Sequence, residues 1–272
     1  MIALVDGDVI AFHACPPRGK KDPETGKIII ELDDDGKRIQ PVYTPAQEEA
    51  YIEEAWTNFT NKLNFLVETL FVDDMLIGLS GVRNFRQDLF HDYKVHRSRN
   101  NATPNTTVPI LRQRAIDKGY AISAVGYEAD DLIRIWAEEA RAVGQDFVIA
   151  SIDKDLLCIE GTHYLMHKGK EQIVAVSKEE ALRHYYAQIL SGDPTDNIPG
   201  VPGIGPKTAV KLIAACDTEE EMQEVVLEKY CEAYIADDWV KNFMINAKLI
   251  HILRTPDDYF NAKNWPGIKD FI

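Results

Sequence analysis

Short apolar runs alternate with amphipathic stretches over the first 160 residues. Buried strands are predicted over four of these runs, which are residues 2–5, 75–79, 121–125 and 147–152. Apolar side chains at helical spacing predict helices over 45–72 and 129–143. Strands that alternate with helices predict an α/β fold with a largely parallel central sheet.

The pattern changes near residue 178 to helices and a turn rich in Gly and Pro. We therefore expect an α/β region over 1–185 and a helical region over 186–272. Ligand sites in such folds gather at the carboxyl ends of the parallel strands. Residues 27–42 fit either a hairpin with a turn at Asp35-Gly36 or a solvated loop, and the sequence favours neither.

Composition is that of an ordinary globular protein, with 45% hydrophobic and 27% charged residues among 272. No apolar run approaches the roughly 20 residues of a membrane helix, and the N-terminus lacks the basic start of a signal peptide. We therefore expect a cytoplasmic monomer without membrane contact. The formal charge, 30 − 44 = −14, argues on its own against a nucleic-acid partner.

Nine carboxylates lie in four short clusters at predicted strand ends, helix starts or turns. They are Asp6 and Asp8; Glu128, Asp130 and Asp131; Asp153 and Asp155; and Asp193 and Asp196. One such pair is usually a turn residue or a helix cap, but four pairs favour a single site. Adjacent negative charges repel unless cations hold them, and oxygen ligands suit Mg²⁺ or Mn²⁺. Two such ions can activate water and stabilise the leaving oxygen in phosphodiester hydrolysis.

A phosphatase of the haloacid-dehalogenase type is an alternative interpretation. That class also begins with a strand followed by Asp-x-Asp, as in Asp6-Gly7-Asp8, and would use Asp6 as a nucleophile and Ser80 after the second strand. Its final Gly-Asp-x-x-x-Asp pattern is missed by one residue at 192–196. This class gives no reason for Glu128, or for the two segments described next.

Residues 200–209 read Gly-Val-Pro-Gly-Ile-Gly-Pro-Lys-Thr-Ala. They are not a P-loop, because Pro206 separates Gly205 from Lys207. The segment predicts a tight hairpin between two helices, the second starting near Pro206. Close backbone approach at the glycines, helix N-terminal amides and the two lysines Lys207 and Lys211 predict contact with a phosphate. The alternative is a purely structural corner between helices.

Residues 83–118 carry eight basic residues against three acidic ones, a local charge of +5. The polar, turn-rich stretch 100–107 predicts a mobile segment. A mobile basic segment opposite an acidic metal cluster would draw a nucleic-acid strand over the metals. The alternative is a solvated basic face.

Together these motifs resemble the 5′-nuclease superfamily: flap endonucleases, the 5′-exonuclease domain of bacterial DNA polymerase I, and bacteriophage 5′-exonucleases, the last most closely. The matching segments occur in family order, and they are Leu4-Val-Asp6-Gly7, Phe85-Arg86 with Tyr93-Lys94-x-x-Arg97, Gly126-Tyr-Glu128-Ala-Asp130-Asp131, Ser151-Ile-Asp153-Lys-Asp155, and the run from Gly192 to Ala209. The resemblance implies a PIN-like parallel central sheet flanked by helices. It also implies a helical C-terminal region with a helix–hairpin–helix-type (helix-3-turn-helix) DNA-binding motif.

The resemblance further implies a Mg²⁺-dependent 5′→3′ exonuclease and 5′-flap endonuclease. Its substrate would be DNA with a 5′ end, flap or junction, with weaker or parallel activity on the RNA of RNA–DNA hybrids. The first metal would be held by Asp6, Glu128 and Asp130. The second would be held or oriented by Asp153, Asp155, Asp193 and Asp196, with Asp131 in support. Lys94 would stabilise charge on the scissile phosphate, and Tyr93 would stack on a base.

The remaining implied roles concern DNA binding. An arch within 83–118 would admit a 5′ single strand, and the basic residues implied to contact DNA are Arg86, Arg97, Arg99, Arg112 and Arg114. The hairpin would bind the duplex backbone through Gly203, Gly205, Lys207, Thr208 and Lys211, with K⁺ held by its carbonyls.

One departure from the family concerns the first metal. The family usually has a further metal-binding Asp after the second strand, whereas residues 77–86 here contain no carboxylate. Asp8, or Asp73 and Asp74 before that strand, would be candidates to compensate. Otherwise the first metal is held weakly, and the chain binds junctions with little or no cutting.

Overall fold

The structure is a computed structural model. It describes residues 1–16, 18–19, 22, 24–25, 29, 32–34, 42–95, 106–167, 169–234 and 238–268. The expected hairpin at 27–42 falls mostly outside these residues, as do Arg97 and Arg99.

A six-stranded sheet lies at the centre of the α/β region. Its strands are β1 (Ile2–Asp6), β2 (Asp74–Leu79), β3 (Ile122–Ser123), β4 (Phe147–Ser151), β5 (Gly161–Leu165) and β6 (Gln172–Val176). Their spatial order is β3-β2-β1-β4-β5-β6. Neighbours are parallel except β6, which runs antiparallel to β5. The prediction of a largely parallel sheet is confirmed.

Helices cover both faces of this sheet. In chain order the helices of the α/β region are α1 (Gly7–Ala14), α2 (Pro45–Leu70), α3 (Phe85–Leu89), α4 (Thr107–Asp117) and α5 (Ala129–Ala142). Alternate residues of β1 point to opposite faces: Ala3 and Val5 join the core under α1, α2 and α4, whereas Leu4 joins the core under α5. Because both faces are covered there, the central strands β1 and β4 read as continuous apolar runs.

The long helix α2 shows how local sequence sets an element. Thr44 and Gln47 form a reciprocal capping box and Pro45 occupies the first turn. Its buried side chains recur at helical spacing, and they are Ala55, Phe59, Leu63, Leu66 and Leu70. The helix ends at Phe71, which has a left-handed backbone (φ 52°). The predicted helix over 45–72 is confirmed to within two residues.

The C-terminal region is helical, as expected. It contains α6 (Lys178–Ser191), α7 (Pro206–Ala214), α8 (Glu219–Ala233) and α9 (Asp238–Ile250). Tyr186, Tyr230 and Phe243 lie in its own apolar core. Helix α6 runs through the expected boundary at 185–186, and Tyr185 packs against both this core and the core under α5. The division at 185–186 therefore stays a prediction.

Five of these helices and strands were not anticipated: α1, α3, α4, β5 and β6. Asp6-Gly7-Asp8 was expected to follow a strand, and the Asp6 side chain also caps α1 by accepting from Val9 N at 3.1 Å. Among the described residues, we find no helix with both the length and the apolar character required to cross a membrane.

Candidate nuclease site

The first carboxylates of the site meet because β1 and β4 are parallel neighbours. Asp6 ends β1, and its Oδ2 accepts from the Ser151 hydroxyl at the end of β4 at 2.9 Å. The same hydroxyl oxygen accepts from Asp153 N at 2.9 Å, and Asp153 Oδ1 accepts from Asp155 N at 2.9 Å. This chain of contacts fixes three of the predicted ligands along one edge. The role of Ser151 was not predicted, although its place just before Asp153 was visible.

The start of α5 brings two more carboxylates to the same edge. Glu128 caps this helix and Asp130 lies in its first turn. Burial, and then the carboxylates of Asp153, Asp6 and Glu128, raises the pKa of Asp130 well above its usual range. Burial also raises the pKa of Asp6 to about 6; nearby carboxylates add to the rise, against hydrogen bonds that lower it. These carboxylates are close enough to repel one another.

The loop between α6 and α7 supplies the last pair, Asp193 and Asp196. Burial, then the carboxylates of Asp153 and Asp193, raises the pKa of Asp155 to about 8. Gln188 of α6 donates to Asp155 Oδ1 at 2.6 Å, a contact that no motif indicated. Asp196 meets the opposite side of the site, where its carbonyl accepts from Lys94 N at 2.9 Å.

Tyr93 and Lys94 face the carboxylates. Tyr93 Oη donates to Glu128 Oε2 at 2.7 Å and lies 3.3 Å from Asp196 Oδ2. Lys94 Nζ ion-pairs with Glu128 Oε1 and lies 3.4 Å from Asp196 Oδ2. Burial raises the pKa of Glu128, but Lys94 and Arg86 outweigh it and hold that pKa below its usual range. The implied stacking of Tyr93 on a base is not supported, because its ring is buried.

Arg86 and Asp131 form a buried ion pair beside the site. Arg86 is 3% exposed and forms a bidentate ion pair with Asp131 at 2.7 and 2.8 Å. Asp131 is fully buried, and its oxygens also accept from Glu128 N and Leu253 N. The Arg86 side chain therefore contacts Asp131 inside the protein and is not presented to DNA in this structure. Asp131 supports the site rather than facing it.

Asp8, a candidate to compensate for the missing family carboxylate, is held by Ser80 and Arg112. Its Oδ2 accepts from Ser80 N at 2.9 Å, and its Oδ1 lies 3.0 Å from Arg112 Nε. Arg112 also donates to the Ser80 carbonyl. Arg112 is thus engaged in the protein rather than presented to DNA.

Asp73, Asp74 and Arg114 likewise lie apart from the site. Asp74 begins β2 opposite Ile2, whereas Asp6 lies opposite Gly78 at the other end of the sheet. Asp73 pairs with the N-terminal ammonium at 2.6 Å. Arg114 pairs with Glu53 at 2.7 Å on α2. None of the three therefore contributes to the carboxylate edge, and the implied DNA contact of Arg114 is not supported.

The donor chemistry of the site fits a hard divalent cation. Its side chains offer carboxylate oxygens, and burial, with added repulsion between the carboxylates, raises the pKa values of Asp6, Asp130 and Asp155, a cost that a cation would offset. In the described part of the chain, no group of three Asp, Glu, His or Cys side chains is arranged to hold one ion. The Lys94 ammonium occupies Glu128 instead. A cation that binds Glu128 would therefore have to displace the Lys94 ammonium from this carboxylate.

The Gly-rich hairpin forms as expected between α6 and α7. Gly205 caps α7, which starts at Pro206. Five predicted phosphate-contact residues are exposed on its surface, namely Gly203, Gly205, Lys207, Thr208 and Lys211. The amides at the start of α7 and the two ammonium groups make an anion-accepting surface.

Two family models match the chain over most of its length. The N-terminal, resolvase-like domain of 5′-3′ exonucleases matches residues 41–187, and their C-terminal SAM fold matches residues 181–259. These matches rule out the phosphatase interpretation. Ser80, its proposed second residue, uses its hydroxyl oxygen to accept from Ala129 N at 3.0 Å.

Curated relatives are similar over part of their lengths. DNA polymerase I of Rhizobium leguminosarum is 31% identical over 225 residues, which cover 77% of this chain and 20% of that protein. The 5′-3′ exonuclease of Bacillus subtilis is 35% identical over 165 residues, which cover 53% of this chain and 52% of that protein. The chain therefore spans about a fifth of the polymerase and about half of the exonuclease.

Solved structures share the fold. The flap endonuclease of bacteriophage T5, in a complex with DNA and metal ions, aligns with a TM-score of 0.59 and 14% identity, covering 92% of this chain and 88% of that one. The T5 5′-exonuclease with bound zinc aligns with a TM-score of 0.53 and 14% identity, covering 92% and 86%. At this identity the similarity establishes the architecture.

Proposed function

We propose that this chain, which belongs to the 5′-3′ exonuclease family, hydrolyses DNA phosphodiesters at 5′ ends and 5′ flaps with divalent metal ions. The observation that carries the proposal is the convergence of seven carboxylates from four separate segments on one edge of the sheet. Asp6, Asp130 and Asp155 keep this arrangement although burial and repulsion raise the pKa of each. Such a cluster is costly for a protein that binds no cation.

The carboxylates, Lys94 and the hairpin residues would have separate roles in the proposed reaction. Asp6, Glu128 and Asp130 would hold one Mg²⁺, and Asp153, Asp155, Asp193 and Asp196 the other. When bound, the ions would supply an activated water and charge stabilisation at the leaving oxygen. Lys94, on the open side of the carboxylates, would neutralise charge on the scissile phosphate. Lys207, Thr208 and Lys211 would contact the duplex backbone beyond it.

Several finer features belong to the same proposal. K⁺ would be bound by the carbonyls of the hairpin at 200–209, and the RNA of RNA–DNA hybrids would be a second substrate. We expect the protein to act as a monomer in the cytoplasm, or in the host cytoplasm if it is encoded by a phage. DNA and metal ions in the T5 flap endonuclease complex support the partner and the cofactor class.

A binder of DNA junctions with little catalysis is the second candidate. The observation that favours it is the end of β2, where Ser80 stands in a stretch that lacks a carboxylate and Asp8 is paired with Arg112. The first metal would then have three carboxylate ligands at most. Metal-dependent cleavage separates the two candidates.

The test uses 5′-labelled flap and nicked DNA with Mg²⁺ or with EDTA. We expect cutting with Mg²⁺ alone, and Asp153→Asn should lower it at least about 100-fold while DNA affinity is retained. The matched control is Asp146→Asn, an exposed position before the start of β4, at the opposite end of this strand from Asp153. Binding without cleavage at every Mg²⁺ or Mn²⁺ concentration would favour the junction binder. A fully active Asp153→Asn protein would contradict the assignment of the ligands.

A further inference from the structure

Arg86 is a buried guanidinium whose partners lie far away in sequence. Its Nε donates to the Leu249 carbonyl at 2.9 Å and its Nη2 to the His251 carbonyl at 2.6 Å. Nη1 and Nη2 also bind the two oxygens of Asp131. Arg86 therefore joins α3 to the start of α5 and to the chain just after α9.

Asp131 completes the same connection from the other side. Its Oδ2 accepts from Glu128 N at 2.9 Å and its Oδ1 accepts from Leu253 N at 3.0 Å. Arg86 Nη1 also lies 3.4 Å from Glu128 Oε2. The backbone and the side chain of Glu128 are thus both held by this ion pair.

The geometry requires a guanidinium. A planar fork can bind both oxygens of one carboxylate and still direct further N–H groups to carbonyls, whereas an ammonium is a point charge with three donors. A carboxylate that is hydrogen-bonded on both oxygens holds its helix start in one orientation. Asp130, one residue before Asp131, is oriented by the same helix start.

We propose that Arg86 and Asp131 are a positioning pair that couples residues 249–253 to the metal-binding carboxylates Glu128 and Asp130. The pair touches neither substrate nor metal. It acts by holding Glu128 where a cation can reach it, so that the segment after α9 becomes part of the support of the site. This inference rests on the proposed function, because it takes Glu128 and Asp130 as metal ligands.

The test measures Mn²⁺ affinity of DNA-free protein from the electron paramagnetic resonance signal of free Mn²⁺. Arg86→Lys should weaken Mn²⁺ binding about tenfold or more, as is usual when the partner of a ligand is lost. The control is Arg134→Lys. Arg134 is a buried arginine about one turn after Asp131 on α5, and its Nη1 contacts Cys158 Sγ at 3.6 Å. The control should change Mn²⁺ affinity less than twofold.

A second variant covers the case in which Arg86→Lys does not fold. Arg86→Met combined with Asp131→Leu removes both charges, so that no unpaired charge stays buried. We expect this double variant to fold, shown by circular dichroism, and to bind Mn²⁺ as weakly as Arg86→Lys. In cleavage assays kcat should fall while KM for DNA stays within twofold, because Arg86 is not exposed to DNA.

The outcomes separate this inference from the proposed function. Folded variants that bind Mn²⁺ within twofold of the wild-type affinity would overturn the positioning role alone. A rise in KM with unchanged kcat would also overturn it, since that result marks Arg86 as a DNA contact. Wild-type protein that binds Mn²⁺ but cuts no DNA would instead overturn the proposed nuclease activity alone.

Discussion

The carboxylates of the site are held at a cost that can be measured at single residues. Burial, then the Asp153 and Asp193 carboxylates, raises the pKa of Asp155 to about 8, far above the usual range near 4. The folded protein therefore keeps a proton on Asp155 that the unfolded chain has already lost. Between about pH 4 and pH 8 the unfolded state binds fewer protons, so stability falls as the pH rises.

Asp155→Asn should remove this dependence from the metal-free protein. We expect the variant to have a flatter profile of stability against pH from 5 to 9, and at pH 8 a free energy of unfolding higher by up to about 5 kcal/mol, since each of about four pKa units corresponds to about 1.4 kcal/mol. Urea unfolding in EDTA measures it, with exposed Asp146→Asn as the control. Wild-type and Asp155→Asn profiles that stay parallel would contradict the pKa argument. Added Mg²⁺ should restore stability to the wild-type protein at pH 8 and not to the variant.

At this scale the sequence indicated the carboxylates of the site better than it indicated the residues that support them. Asp6, Asp153 and Asp155 follow strands or begin a helix, positions that a local pattern exposes. Arg86 could not be assigned in the same way, because its partners Asp131, Leu249 and His251 lie 45, 163 and 165 residues away. Only the three-dimensional structure shows that the Arg86 guanidinium is paired with Asp131 inside the protein.

At the scale of elements, the connection between α6 and α7 controls where Asp193 and Asp196 lie. Gly192 and Gly200 both have left-handed backbones (φ 64°) and their backbones are packed against each other. A Cβ on Gly200 would lie 2.4 Å from Gly192 N, a distance that real side chains do not adopt. The loop can therefore close only with glycine at these two positions.

Gly200→Ala should therefore destabilise the protein by about 3–5 kcal/mol, as a left-handed backbone and a backbone clash add together. Gly203→Ala is the matched control: its φ is 81°, but nothing lies within 4 Å of the added Cβ, so only about 1–2 kcal/mol should be lost. Urea unfolding gives both values. Equal losses would show that the clash at Gly200 is relieved by movement of the loop.

Elements with strong local signals could be predicted, and those defined by tertiary contacts could not. Helix α2 has a capping box, an N-terminal proline and a long apolar stripe, and its bounds were predicted to within two residues. Strands β5 and β6 are only five residues long. Strand β6 lies at the edge of the sheet and pairs with β5 alone. Strand β5 contains the buried His163. A buried histidine whose Nε2 lies 2.8 Å from the Ile159 carbonyl gives no strand pattern in sequence.

Across the whole molecule, the distribution of charge matters more than its sum. The net charge of −14 includes seven carboxylates that converge on one site. Three consecutive acids, Glu219, Glu220 and Glu221, start α8 and are exposed. Lys207 and Lys211 are exposed on α7, so the anion-accepting surface keeps a positive potential at short range. A Debye length of about 8 Å at physiological salt limits the reach of the distant acids.

Lys207→Ala combined with Lys211→Ala should therefore weaken binding of duplex DNA in a salt-dependent way. Each neutralised phosphate contributes about −0.9 to the slope of log affinity against log salt, so the slope should become shallower by about 2. Fluorescence anisotropy between 50 and 200 mM KCl, in Ca²⁺ to limit cutting, measures the slope. The control is Lys178→Ala, which changes an exposed lysine at the start of α6. Lys178 follows β6, and β6 runs antiparallel to β5 and so ends away from the carboxylate edge. This control should leave the slope unchanged. An unchanged slope in the double variant would show that the hairpin does not contact DNA. It would also indicate that the acidic net charge prevents DNA from binding at this surface.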